Sequence, residues 1–151
     1  MEQEKFNEIL NFAIDREKEA VEFYEALREK AKFSGMKEFL LELADMERGH
    51  ITMLEILKKK DVSHFDVPEV ENLKVSEYLV VDESPLENMD YANILANVIK
   101  KEENSYKLYT TLANNFSDSE IKNIFEKLAS EELKHKNKFE KLYDEDVLKD
   151  N

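Results

Sequence analysis

The sequence predicts an all-α fold: four long helices arranged as two antiparallel hairpins joined by one long crossover, in a single domain over residues 1–151. Three observations carry that prediction. Apolar residues recur at three- and four-residue intervals over long stretches, only two glycines and two prolines interrupt the 151 residues, and an offset of 85 residues superposes the two halves of the chain without a gap. A β-rich fold would need many more turn residues.

The first helix is expected from about Glu4 to Lys32, because Phe6, Ile9, Leu10, Ala13, Ile14, Ala20, Tyr24, Leu27 and Ala31 share one face. Glu17 lies inside that stripe. Ser34-Gly35 interrupts the period, and a second stripe of Phe39, Leu40, Leu43, Met46, Ile51, Leu54 and Leu57 ends at Lys58-Lys59-Lys60, cations suited to a helix C-terminus. Residues 61–84 lack a sustained helical period and hold Pro68, so they read as a crossover with a short helix near Ser76 to Val81. Ser84-Pro85-Leu86-Glu87 has the pattern of a helix start, with an N-cap serine, a first-position proline and a capping-box glutamate. The third helix then carries Tyr91, Ile94, Leu95, Val98, Ile99, Ser105, Tyr109, Leu112 and Phe116. Ser117-Asp118-Ser119-Glu120 offers another capping box before a fourth stripe of Ile121, Ile124, Phe125, Leu128, Ala129, Phe139 and Leu142, with a frayed tail after Asp144.

Composition excludes several function classes. The chain has no cysteine, which removes disulfides, thiolate catalysis and Cys-held metals, so any metal must bind through oxygen and nitrogen. A charged N-terminus and only short aliphatic runs, such as Tyr78-Leu79-Val80-Val81, argue against a signal peptide and a membrane span, and the expectation is a soluble cytoplasmic protein. A net charge of −13 opposes binding to nucleic acid or to an anionic membrane surface, both of which demand a basic footprint.

The chemistry lies in two copies of Glu-x-x-His, Glu47-Arg-Gly-His50 and Glu132-Leu-Lys-His135, each thirty residues after another stripe-facing glutamate, Glu17 and Glu102. Residues three apart on a helix share a face, so each motif can aim a carboxylate and an imidazole at one interior point. From Glu17 to a turn near Phe33 is about 24 Å of helix, and the return from Met36 to Glu47 or His50 is about 17 to 21 Å, so the ligands come back to one level. Four buried carboxylates need compensating charge, and few basic residues share their stripes. Two divalent cations would balance them, and carboxylate with imidazole suits iron or manganese. The 85-residue offset pairs all six candidates, Glu17 with Glu102, Glu47 with Glu132 and His50 with His135; the neighbours Glu103 and Glu131 align with Lys18 and Met46 and are set aside. Asp61 and His64 repeat the acid-to-histidine spacing, but in the aperiodic crossover and without a paired copy, which reads as an exposed loop pair. Tyr24 and Tyr109, about two turns beyond Glu17 and Glu102, either donate hydroxyls to the site or pack in the core. Gly49 costs about 1 kcal/mol relative to alanine in mid-helix, with no evident reason in the sequence.

One glutamate from each of two helices and a Glu-x-x-His from each of two others is the ligand composition of ferritin-like di-iron carboxylate bundles. With Glu17-x-x-Ala20-x-x-x-Tyr24 and Glu102-x-x-Ser105-x-x-x-Tyr109 added, nearly the whole chain resembles the rubrerythrin branch of that group. The resemblance implies a pair of iron ions, a homodimer, and reduction of hydrogen peroxide or oxygen in oxidative-stress defence. Two departures qualify it. Typical rubrerythrins carry a Cys-rich rubredoxin-like domain, so with no cysteine here electrons must come from a separate donor such as a rubredoxin. Rubrerythrins also carry a further glutamate where Ser105 stands, which makes the ligand set more like that of bacterioferritin. Two other functions fit the same residues: an iron-handling ferroxidase or carrier, and a non-enzymatic helical module with a structural metal.

Overall fold

In a computed structural model the described residues are 1–31, 34–69, 73 and 90–148, and they form four α-helices and no strand. Helix α1 spans Glu2–Lys30, α2 Ser34–Leu57, α3 Tyr91–Asn115 and α4 Ser119–Tyr143. The predicted all-α, ferritin-like bundle is the observed architecture. Contacts between α1 and α2 and between α3 and α4 dominate, as two hairpins require; the hairpins meet through α1 against α3 and, more sparsely, α2 against α4.

The core is divided in two. One apolar cluster joins Phe6, Leu10 and Ile14 of α1 to Leu54 and Leu57 of α2, Leu108 and Leu112 of α3, and Phe125 and Leu128 of α4. The other joins Tyr24 and Leu27 to Leu40 and Leu43, Ile94, Leu95 and Val98, and Phe139. The N-terminal half of α1 therefore lies beside the C-terminal half of α2 and of α3 and the N-terminal half of α4. Helix α2 ends at the first cluster and α3 begins at the second, so the end of α2 and the start of α3 lie at opposite ends of the bundle. Of the described residues after α2, Val62, Val67 and Leu73 pack on the first cluster. The backbone N–H of Val67 donates to Glu2 at 2.6 Å, which ties this stretch to the first turn of α1.

Three helix ends differ from expectation. The helix that carries Glu102 begins at Tyr91, and its N-cap is Asp90, whose carboxylate accepts from the Asn93 N–H at 2.8 Å. Ser84–Glu87 and the expected short helix at 76–81 lie outside the described residues. Helix α4 is capped by Asp118, not Ser117, because the Asp118 carboxylate accepts from the Ile121 N–H at 3.0 Å. The tail after Asp144 is not frayed at once: Asp144–Leu148 forms a π-helical turn, and the Tyr91 hydroxyl donates to Asp146 at 2.9 Å. Ser34 and Gly35 open α2. No helix among the described residues is long and apolar enough to cross a membrane.

Candidate metal centre

Between the two apolar clusters lies one polar layer. Glu17, Glu47, His50, Glu102, Glu132 and His135 are all buried, none more than 3% exposed, and all four helices contribute. Each helix supplies its acid where its stripe passes from one cluster to the other: Glu17 between Ile14 and Ala20, Glu47 between Ala44 and Leu54, Glu102 between Val98 and Leu108, Glu132 between Ala129 and Phe139. Helical spacing then puts His50 and His135 one turn further along, on the same side as their glutamates.

The six resolve into two overlapping sets, Glu17, Glu47, His50 and Glu132, and Glu47, Glu102, Glu132 and His135, with one donor atom from each residue within 4.8 Å of the others. Glu47 and Glu132 belong to both. His50 Nδ1 lies 3.4 Å from Glu17, 3.4 Å from Glu47 and 3.0 Å from Glu132. His135 Nδ1 lies 2.9 Å from Glu47 and 3.8 Å from Glu102. The two imidazole rings face each other with centroids 6.5 Å apart and planes 15° from parallel.

The donor atoms point inward without satisfying one another. Both Nδ1 atoms, both Glu47 oxygens and one oxygen each of Glu17, Glu102 and Glu132 are buried and make no hydrogen bond of acceptable geometry. Orphaned buried polar atoms are costly, and among the described residues no lysine or arginine pairs with these four acids. The electrostatics of the bare layer follow. Burial and mutual repulsion push Glu47 and Glu132 well above the ordinary glutamate range, and burial raises Glu102 to about 8. Glu17 is held low: burial would raise it, but contacts from Glu47, His50 and the Tyr109 hydroxyl outweigh that. His50 is raised: burial opposes its charge, but Glu132, Glu17 and Glu47 surround it. A buried layer of orphaned carboxylate oxygens and imidazole nitrogens, in which burial and neighbouring acids disfavour the charged form of Glu47, Glu102 and Glu132, fits cation binding.

Two flanking contacts complete the layer. Tyr109 donates its hydroxyl to Glu17 at 2.6 Å, across the bundle from α3 to α1. Tyr24 stacks on Phe139 with centroids 5.4 Å apart, and its buried hydroxyl has no hydrogen-bond partner. Glu131, set aside on sequence, meets the outer nitrogen Nε2 of His50. The need for a partner at that nitrogen was a usable signal, because an imidazole that offers one nitrogen to an interior site must satisfy the other. Its 85-residue counterpart is Met46, which has no carboxylate to offer His135. Glu103 instead pairs with Lys107 at 3.1 Å. His64 is exposed beside a surface cleft shared with Asp66, Asn114, Asp118 and Lys122, away from the layer.

The sequence profile of the Rubrerythrin family matches residues 8–143, which span all four helices and all six buried residues. The chain belongs to the rubrerythrin family. A solved structure of a hypothetical protein from Pyrococcus furiosus shares the fold, with a TM-score of 0.69 and 24% identity over 92% of this chain and 88% of that one. No curated protein matches the sequence. Family membership and the buried carboxylate–histidine layer together fit a metal-binding rubrerythrin-type protein.

Proposed function

We propose that the chain is a di-iron carboxylate oxidoreductase that reduces hydrogen peroxide or oxygen, with electrons from a separate donor such as a rubredoxin. The single observation that supports this most is the pair of overlapping ligand sets that share Glu47 and Glu132. Sharing two carboxylates is what brings two cations close enough to act on one small oxidant. In this reading Glu47 and Glu132 would contribute to both metal positions, Glu17 and His50 would complete one, and Glu102 and His135 would complete the other. Iron is preferred to manganese because of the family, the donor atoms alone being suited to either.

A bound iron pair would supply the two electrons that, with two protons, convert hydrogen peroxide into two waters. The protein's own part is to position and insulate. Four carboxylates cancel the charge of two divalent cations, so the layer can be buried at low cost once filled. Tyr109 fixes the Glu17 carboxylate through its hydrogen bond, and Glu131 fixes the His50 ring through Nε2, which holds Nδ1 toward the interior. The two apolar clusters seal the layer from both ends of the bundle and keep bulk water from competing with the oxidant.

The test is metal analysis of anaerobically purified protein, followed by stopped-flow addition of peroxide to the diferrous form. Two irons per chain and oxidation much faster than that of free Fe²⁺, with turnover when reduced rubredoxin is supplied, are the expected results. Oxidation no faster than that of free Fe²⁺ rejects the enzymatic reading, and uptake of more than two irons per chain would favour an iron-handling role. An inert holo form that unfolds when its metal is removed would favour a structural metal.

A further inference from the structure

We propose that a row of lysines on the outer face of α4 is the docking surface for an acidic one-electron carrier, whose electrons enter the buried layer beside the contact between Glu131 and His50. The inference rests on the redox reading above and adds to it the surface, the charge of the partner and the point of entry. Lys127, Lys134, Lys138 and Lys141 recur at intervals of seven, four and three residues, which sets them along one side of the helix, and all four are exposed. The row is about 21 Å long, enough to meet one face of a small protein.

A solvated helix face normally mixes charges of both signs. This one does not. Other cations of α4 are neutralised one turn on, Lys122 by Glu126 at 3.7 Å and Lys136 by Glu140 at 3.1 Å. Among the described residues the four lysines of the row have no such ion pair; Lys138 instead lies over the Phe39 ring of α2, 5.2 Å from its centroid. Glu131 stands one turn from both Lys127 and Lys134 and could neutralise them, but its carboxylate turns to His50 Nε2. The 85-residue offset pairs the four lysines with Glu42, Gly49, Met53 and Ile56, so the row belongs to α4 and has no copy on α2.

The rest of the molecule selects the partner. A chain of net charge −13 repels an acidic protein from most directions, so an unneutralised basic row orients it by repulsion elsewhere as well as by attraction here. Exposed acids at Glu120 and Glu145, beyond the two ends of the row, suit a compact partner and oppose a long polyanion. Position gives the reason that this partner carries electrons. Glu131 is 25% exposed and meets the outer nitrogen of His50, whose other nitrogen faces the buried acids. A carboxylate and an imidazole thus link the docking row to the layer. Two encounters, each delivering one electron, replace the two electrons that peroxide removes; no atom is transferred, and each carrier leaves oxidised.

The test uses an acidic rubredoxin as the carrier and the full, metal-loaded chain. Carbodiimide coupling, which joins a lysine amine to a carboxylate in contact with it, is expected to link rubredoxin to Lys127, Lys134, Lys138 and Lys141. Lys127→Glu with Lys138→Glu should raise the dissociation constant, read by calorimetry, more than about tenfold. Lys100→Glu with Lys107→Glu, an equal change of charge on α3, should shift it less than about twofold. Peroxide oxidation of the dithionite-reduced α4 variant should keep the wild-type rate. Failure of the chemistry would therefore appear as slow oxidation in both proteins, and failure of the docking surface as rubredoxin binding that ignores the α4 substitutions. No binding, binding indifferent to Lys127→Glu with Lys138→Glu, or cross-links spread over other lysines overturns the proposal. So does equally tight, equally lysine-dependent binding of heparin, which would make the row a general polyanion site.

Discussion

Glu47 and Glu132 serve both halves of the buried layer, whereas Glu17 and Glu102 each serve one. On the proposed two-metal reading, Glu47→Gln should therefore abolish binding at both positions, while Glu102→Gln should leave about one metal per chain, as read by elemental analysis after equilibration with Fe²⁺ or Mn²⁺. The variant should still fold, because glutamine is nearly isosteric with the protonated acid that burial and repulsion already favour at Glu47. A metal-free Glu47→Gln protein that melts below metal-free wild type would contradict that account. Glu131 belongs to the same scale. It meets the outer nitrogen of His50 and belongs to neither ligand set, so Glu131→Gln should leave both sets present but lower metal affinity by about 10- to 100-fold. The six buried residues were legible from spacing because helical period and pairing both point at them. Glu131 was not, because its role comes from α2 and α4 lying side by side, and pairing with Met46 argued against it.

At the scale of elements, the four helices followed from apolar period alone, but their ends depended on which of several adjacent cap residues won. Ser117, Asp118 and Ser119 all suit an N-cap, and a serine three before Glu120 made the first the natural reading. The structure favours Asp118, a carboxylate that both accepts from Ile121 and meets the positive end of the helix dipole. Asp118→Ala should cost about 1 kcal/mol and lower the melting temperature by about 2–4 °C, whereas Ser117→Ala should change it little. Equal losses from the two would return the cap to Ser117. Asp90 teaches the same lesson: proline and serine signals at 84 and 85 suggested a start, yet the helix that bears Glu102 is capped six residues after Ser84. Local sequence marks where a helix can begin; packing of Ile94 and Leu95 into the core fixes where this one does.

For the whole molecule, a polar layer through the middle of the core is a penalty until cations fill it, and pH sets the size of that penalty. An unfolded glutamate titrates near 4.3 and an unfolded histidine near 6.5. In the folded, metal-free protein Glu102 is raised to about 8, Glu47 and Glu132 are raised as well, and His50 is raised above its ordinary value. Between roughly pH 5 and 8 the folded state therefore holds more protons than the unfolded state, and stability must fall as pH rises. Glu17, held low, acts in the opposite sense, but its titration lies below that window. Cations bind the deprotonated ligands and displace these protons, so metal affinity climbs with pH and the penalty disappears on loading. Chelator-treated protein should thus lose melting temperature from pH 5.5 to pH 8, while metal-loaded protein should not, and the gap between them should widen with pH. The general repulsion from a net charge of −13 grows in both samples, so the difference isolates the buried layer. A gap that stays constant across the range would mean that these carboxylates are solvated rather than sealed between the two apolar clusters.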